Sequence, residues 1–280
     1  MPALSAPIKA PIFSLEHYIQ DITLEAGIVD NMVLTLRDVL PNFLKQLLPE
    51  IKEFDNIAST PAVKLSKDEN EAIKKLRDIE FQYLRKITFD GPEGFTGSYL
   101  LFAKILNSNI EYILSISKTV KEYKTFLSGL LSNGDARLST KDLSFKYKEL
   151  AKEREAREDG LATFIKRGSY KVQLPIGEVF DRTSDIEAAI TEFATIDKRM
   201  SLVDLKQLKN DVDACVDILN LLIQRINEGD IKNLTPAAAK SLSIGAYEMA
   251  RNVQYVASAY YTILTGITGT NRLIEKILKF

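Results

Sequence analysis

The longest uninterrupted helical pattern in the chain is SYLLFAKILNSNIEYILSISKTVKEYKTFLSGLL, residues 98–131. It contains no proline, and its apolar side chains recur at steps of three and four residues, the period of one helix face. Those positions are Phe102, Leu106, Ile110, Ile113, Val120, Leu127 and Leu130, and Leu101, Ile105 and Leu114 widen the face. The pattern predicts a helix roughly 50 Å long, at 1.5 Å per residue, that contacts several other helices.

A second long helix is predicted from Pro236 onward, because a threonine followed by proline is a strong helix start. Small residues are frequent along it. Since small residues let neighbouring helices approach closely, we expect this helix to be central. Glycine and threonine over residues 266–270 predict a turn there, followed by a short closing helix over Asn271–Phe280.

Capping signals predict further helices between and before these two. One of them begins at Ser66, continues to about Thr88 and is followed by a glycine-rich loop. Later starts are Thr140 or Ser139, Ser184 with Glu187, and Ser201 with Asp204, the last of these helices ending at Gly229. Together the patterns predict an all-α fold, an elongated multi-helix bundle with long antiparallel helices.

One short extended or β-hairpin excursion interrupts the helices near residues 160–180. Tyr170, Val172 and Leu174 alternate there with polar residues before Pro175 and Gly177. The excursion predicts four segments: an extended N-terminal arm (1–13), a helical subdomain (14–158), the excursion or linker (159–180) and a second helical subdomain (181–280). A single elongated bundle is equally compatible with these boundaries.

The N-terminal arm contains prolines at positions 2, 7 and 11, which exclude a regular helix. Ile8, Ile12 and Phe13 are apolar, so the arm either is a loose tail or lies on a neighbouring subunit. The arm lacks the apolar run of a signal peptide, and no segment is apolar enough for a confident transmembrane helix. We therefore expect a soluble protein in the cytoplasm, or one incorporated into a particle assembled there.

The composition argues against several classes of function. Lys and Arg (37) nearly balance Asp and Glu (38), for a net charge of −1, so no strong nucleic-acid signal is present. The chain has one histidine, His17, and one cysteine, Cys215. These are too few for a zinc site of histidines and cysteines, and a catalytic triad would have to use His17. The sequence predicts no enzyme, no cofactor and no resident metal.

Several residue groups resemble functional sites, and each has a simpler interpretation. Cys215 lies on the apolar side of a helix, where a thiol packs as a small hydrophobe. The carboxylates of Asp211, Asp213 and Asp217 are typical of a solvated helix face. The loop Gly91–Gly97 precedes a helix but lacks the lysine of a phosphate-binding loop. A modest excess of basic residues over 137–171 is typical of a charged, exposed helix.

These observations favour a non-enzymatic structural or assembly subunit of a larger multiprotein complex, such as a phage or virus particle component. Its partners would be other protein subunits, of the same or a different chain. The alternatives are a helical adaptor or regulatory protein that binds a partner helix, an enzyme that binds a phosphorylated ligand at the Gly91–Gly97 loop, and a protein that binds membranes through its basic middle segment. The predicted partner-binding residues are Ile8, Ile12, Phe13, Phe164, Tyr170, Val172 and Leu174.

Overall fold

The structure is a computed structural model. It describes residues 62–92, 95–133, 140–162, 164, 173–231 and 236–280, together with scattered positions between 41 and 59. Within this part of the chain, no helix has an apolar stretch of the length that crossing a bilayer requires.

These ranges contain eight helices, numbered α1 to α8 below, and two short strands. In chain order they are α1 (Glu69–Leu76), α2 (Phe81–Leu84), β1 (Thr88–Phe89), α3 (Tyr99–Asn133), α4 (Thr140–Ala162), β2 (Leu174–Pro175), α5 (Ile176–Val179), α6 (Thr183–Met200), α7 (Leu205–Glu228) and α8 (Pro236–Lys279). The described positions between 41 and 58 are also helical, and Leu44 and Phe54 among them are buried. The predicted all-α bundle with one short extended excursion is confirmed.

The two longest of these helices, α3 (35 residues) and α8 (44 residues), pack antiparallel. Three tyrosine hydroxyls of α3 give the direction. Tyr99 donates to the Gly266 carbonyl at 3.0 Å, Tyr112 lies 3.5 Å from Asn252 Oδ1, and Tyr123 donates to the Leu242 carbonyl at 2.8 Å. Positions on α8 therefore fall as positions on α3 rise, and the predicted central place of α8 is confirmed by its burial.

The other helices pack around this pair. Both α6 and α7 lie on α3, while α4 lies mainly on α8, and α1 contacts α8 and α6. Their apolar side chains join in one buried cluster that draws on residues before and after the 160–180 excursion. In the described part of the chain, helices from both predicted subdomains thus share a core.

The described extended part of the excursion, strand β2, pairs with a distant segment of the chain. β2 and β1 are antiparallel, with Phe89 opposite Leu174 and Thr88 opposite Pro175. The backbone N–H of Ile176 continues the ladder by donating to the Ile87 carbonyl at 2.9 Å. Phe89 and Leu174 are both buried, so this part of the excursion packs against the bundle.

The predicted continuous helix from Ser66 to about Thr88 is wrong. It is divided into α1, the short α2 and strand β1. Glu80, between the two helices, is extended, with φ −69° and ψ 135°. The β-branched Ile87 and Thr88 suit a strand, and the pairing of Phe89 with Leu174 selects that conformation over the helical pattern.

The predicted turn at 266–270 is also wrong, because α8 continues through it to Lys279. Both glycines in the turn signal lie where side chains of other helices come close. A Cβ on Gly266 would lie 2.8 Å from Phe193 Cε1, and one on Gly269 would lie 2.8 Å from the Tyr99 hydroxyl. Tertiary packing therefore explains these glycines, and it overrides their low helix propensity.

The caps of the remaining helices agree with the sequence in part. Asp204 caps α7 by accepting from the Gln207 N–H at 2.9 Å, and Gly229 ends that helix with φ 79°, the left-handed conformation that glycine favours. The predicted box at Ser184 is wrong. Helix α6 begins at Thr183 after Arg182, which makes no side-chain cap.

Substituting Gly266 tests whether packing explains the glycine. Gly266→Ala is expected to lower the free energy of unfolding by about 1–2 kcal/mol, because overpacking against Phe193 and Leu106 outweighs the better helix propensity of alanine. Chemical denaturation followed by circular dichroism measures the change.

Gly160→Ala is the matched control, since it is also a helical glycine but a Cβ there would meet nothing within 4 Å. It should leave stability unchanged or raise it by about 0.4–1 kcal/mol. Equal effects at the two glycines would contradict the packing explanation.

Candidate functional site

The most concentrated chemistry in the described part of the chain is a layer of polar side chains between α3, α4 and α8, here called the polar layer. It contains acids, guanidinium groups, phenols and amides that the surrounding helices bury wholly or partly. Its members are Asn109 and Tyr112 on α3, Arg154, Arg157 and Glu158 on α4, and Glu248, Arg251, Asn252 and Tyr255 on α8.

An ion pair joins α4 to α8 at the centre of the polar layer. Arg154 Nη1 donates to Glu248 Oε2 at 2.6 Å and to Asn252 Oδ1 at 3.1 Å. Only 2% of Arg154 is exposed, so its guanidinium is almost wholly removed from water. A buried charge needs such partners because its desolvation costs several kcal/mol.

The two tyrosines of the polar layer tie α3 to its neighbours. The Tyr112 hydroxyl donates to the Leu150 carbonyl of α4 at 2.6 Å, and its ring meets that of Tyr255 edge to face, with centroids 5.3 Å apart. The guanidinium of Arg157 lies over the Tyr112 ring at 5.2 Å and donates to Asn109 Oδ1 at 3.0 Å. Each helix of the layer is therefore bonded to the other two.

Burial dominates the electrostatics of the polar layer. It raises the pKa of Glu248, and the neighbouring Arg154 only partly opposes that rise. Burial works to lower the pKa of Arg154, but the carboxylate of Glu248 outweighs it, and the net shift is upward. Burial also raises the pKa of both tyrosines, so their hydroxyls stay protonated and act as donors.

Sequence reasoning missed the polar layer. Arg154 lies in a densely charged helix where nothing distinguishes it from its neighbours. Glu248 did carry a signal, because it is the only acid of α8 before Glu275 and stands among small and apolar residues. A lone acid on a helix predicted to be central indicates a buried partner on another helix.

Of the predicted partner-binding residues, five lie outside the described part of the chain and two are described. Ile8, Ile12, Phe13, Tyr170 and Val172 lie outside the described residues, as does His17. Phe164 and Leu174 are described, and both are buried. Phe164 stacks on Phe95, and Leu174 packs against Gly91, so these two side chains contact their own chain.

The described part of the Gly91–Gly97 loop holds the end of α4 in place. The Thr96 N–H donates to the Phe164 carbonyl at 2.7 Å, and Phe95 packs among aromatic rings of the core. Gly97 has φ 93°, a conformation that glycine adopts readily. These contacts agree with the interpretation of the loop as a connection between elements.

The carboxylates of α7 do not share one solvated face, so that prediction is wrong for Asp211. Its side chain is 2% exposed and pairs with Lys124 of α3. Asp213 is more exposed and pairs with Lys209 at 2.5 Å. In the described chain, no group of three or more His, Cys, Asp or Glu residues is placed to hold a metal ion.

Cys215 is buried near the Asp211–Lys124 pair, as expected for a thiol that packs as a small hydrophobe. Burial, reinforced by the nearby Asp211, raises the pKa of its thiol to about 12. The thiolate, which is the nucleophilic form, is therefore scarce at neutral pH.

Comparisons with known proteins add no relative from which a role could be carried over. No family model matches the chain, and neither the curated proteins nor the solved structures include a match.

Removing one partner of the central ion pair should be costly. Arg154→Met leaves Glu248 buried without its cation and is expected to lower the free energy of unfolding by about 3–5 kcal/mol. The double variant Arg154→Met/Glu248→Gln should recover part of that loss, because it also removes the buried charge. Lys152→Met is the matched control on the same helix, since its pair with Glu149 is exposed and contributes at most about 1 kcal/mol.

The dependence on pH provides an independent check of the same variants. Without Arg154, the raised pKa of Glu248 should rise further, so the folded protein holds that proton at pH values where the unfolded chain has lost it. The stability that this bound proton gives to the folded variant is complete below the Glu248 pKa of the unfolded chain, about 4.3. It is lost as the pH rises through the Glu248 pKa of the folded protein. The gap between Arg154→Met and the double variant should therefore narrow at low pH, and a constant gap would contradict a buried Glu248 carboxylate.

The thiol of Cys215 should report opening of the α3–α7 interface. At pH 8, about one thiol in ten thousand is ionised when its pKa is near 12, so a disulfide reagent should label the native protein at least about 100-fold more slowly than the unfolded chain. Absorbance of the released thiolate measures the rate, and the protein in guanidinium chloride is the control. Equal rates would mean that Cys215 is accessible.

Proposed function

We propose that the protein is a non-enzymatic structural or assembly subunit that acts through contacts with other protein chains. The observation that carries the proposal is the unbroken α8. Its 44 residues span about 66 Å at 1.5 Å per residue, more than twice the roughly 30 Å diameter of a small domain.

The way in which α8 is held supports the same proposal. It contacts α1, α3, α4 and α6, so the long helix is braced by its neighbours for much of its length. Glycine and alanine at the contacts allow close approach of the helices, and the polar layer adds directional bonds across α3, α4 and α8. A braced, elongated body suits a part that keeps subunits at fixed distances.

The use of the buried ionisable groups also supports a structural role. Arg154 pairs with Glu248 between α4 and α8, and Lys124 pairs with Asp211 between α3 and α7. Each pair connects two helices. Ion pairs that contain a buried charge contribute little net stability and can specify which helices pack together. A component of a phage or virus particle is one class of assembly that would use such a subunit.

The oligomeric state tests this proposal. Native mass spectrometry of the full chain at micromolar concentration should detect a homo-oligomer, or a complex with other chains when the protein is isolated from its source. Removal of residues 1–13 should weaken association, because the apolar side chains of the arm are the predicted contacts. A strict monomer that recovers no other chain would overturn the proposal.

A substitution series within the arm makes the test specific. Replacing Ile8, Ile12 and Phe13 together by serine should weaken association as the truncation does, while Lys9→Ser should have little effect. Association that persists in the truncated chain would favour the alternative, an adaptor that binds a partner helix in a groove of the bundle.

A further inference from the structure

The polar layer contains hydrogen-bond donors that the described protein leaves without a partner. They are Asn109 Nδ2, Arg154 Nε, Arg251 Nε and Tyr255 Oη, all with almost no exposure to solvent at the atom itself. Buried polar groups are almost always bonded, so each such atom calls for an explanation. Because all four can donate, the matching group is an acceptor.

The acceptors that belong to the polar layer are already engaged or lie too far away. Glu248 and Asn252 accept hydrogen bonds from Arg154 Nη1, and Asn109 Oδ1 accepts one from Arg157. Glu158 remains. Its carboxylate lies between two guanidinium groups, with Oε1 3.9 Å from Arg154 Nε and Oε2 4.0 Å from Arg251 Nη2. These separations permit charge attraction but exceed hydrogen-bond length.

The position of Glu158 places this gap at the edge of the polar layer. Its side chain is 41% exposed, whereas that of Arg251 is 24% exposed and that of Arg154 is 2% exposed. The hydroxyl of Tyr255, another donor of the polar layer without a partner, lies within electrostatic range of Glu158, whose charge adds to the effect of burial in raising its pKa. Solvent therefore reaches the gap from the side of Glu158, whereas Arg154 Nε on its other side is buried.

We propose that this gap is a binding site for a small oxyanion, which takes the place of the Glu158 carboxylate between Arg154 and Arg251. Guanidinium groups suit this ligand because their planar N–H donors match the spacing of carboxylate and phosphate oxygens. Tyr255 supplies a further donor from α8. Glu158 acts as an internal competitor that moves outward when the oxyanion binds. The site is independent of the assembly role, because either can be present without the other.

Titration with inorganic phosphate at constant ionic strength, followed by isothermal calorimetry and ³¹P NMR, tests the site. The full-length protein should bind phosphate weakly, and Glu158→Gln should bind it about tenfold more tightly, because the competing charge is removed. Arg251→Gln should abolish binding. Tyr255→Phe, which removes only a hydroxyl, should weaken binding severalfold and serves as a second variant should Arg251→Gln fail to fold.

Asp159→Asn is the matched control, since it removes an exposed acid from the same helix and should leave phosphate affinity unchanged. Sulfate and acetate arms distinguish a general oxyanion site from one restricted to phosphate. The proposal would be overturned if the wild-type protein bound no phosphate up to tens of millimolar. This holds even if Glu158→Gln binds phosphate, because the ion would then be unable to displace the native Glu158 carboxylate. Binding that is equally strong in Arg251→Gln and Tyr255→Phe would place the ion elsewhere and would also overturn it.

Discussion

The close antiparallel packing of α3 against α8 positions α1, α4, α6 and α7, which all contact this pair. Large side chains of α3 and α6 meet glycines of α8, as Tyr123 meets Gly245 and Phe193 meets Gly266. The absence of a side chain on α8 lets the rings fill the space, and the tyrosine hydroxyls donate to α8 carbonyls as they do so. The other helices then pack around a pair whose register is already determined.

Helix α4 is attached to that pair in a different way from α6 and α7. Most of its described side chains are exposed or half-buried, and the two fully buried ones are Tyr147 and Arg154. Polar bonds through the polar layer therefore contribute much of what positions α4. This explains why charged groups are buried there.

Much of the fold could be predicted, because the helical period of apolar residues and the glycines that end helices are local features of the sequence. The start of α4 near Thr140, the span of α3 and the end of α7 at Gly229 agree with the structure. The errors at 66–88 and 266–270 have a common origin. Phe89 adopts a strand because Leu174 pairs with it, and Gly266 stays helical because Phe193 packs on it, and neither partner is near in sequence. The polar layer was missed for the same reason, since Arg154 and Glu248 are separated by 94 positions.

The helical class, the long helices and the scarcity of histidine and cysteine follow from residue type and local spacing alone. The identity of the buried charges, the helical state of the glycines and the pairing of the extended segment depend on how the helices pack. Those outcomes depend on side chains that approach one another from distant positions. Burial makes such contacts energetically decisive. Water cannot solvate a buried charge that lacks a partner, and a close-packed interior has no space for an additional Cβ.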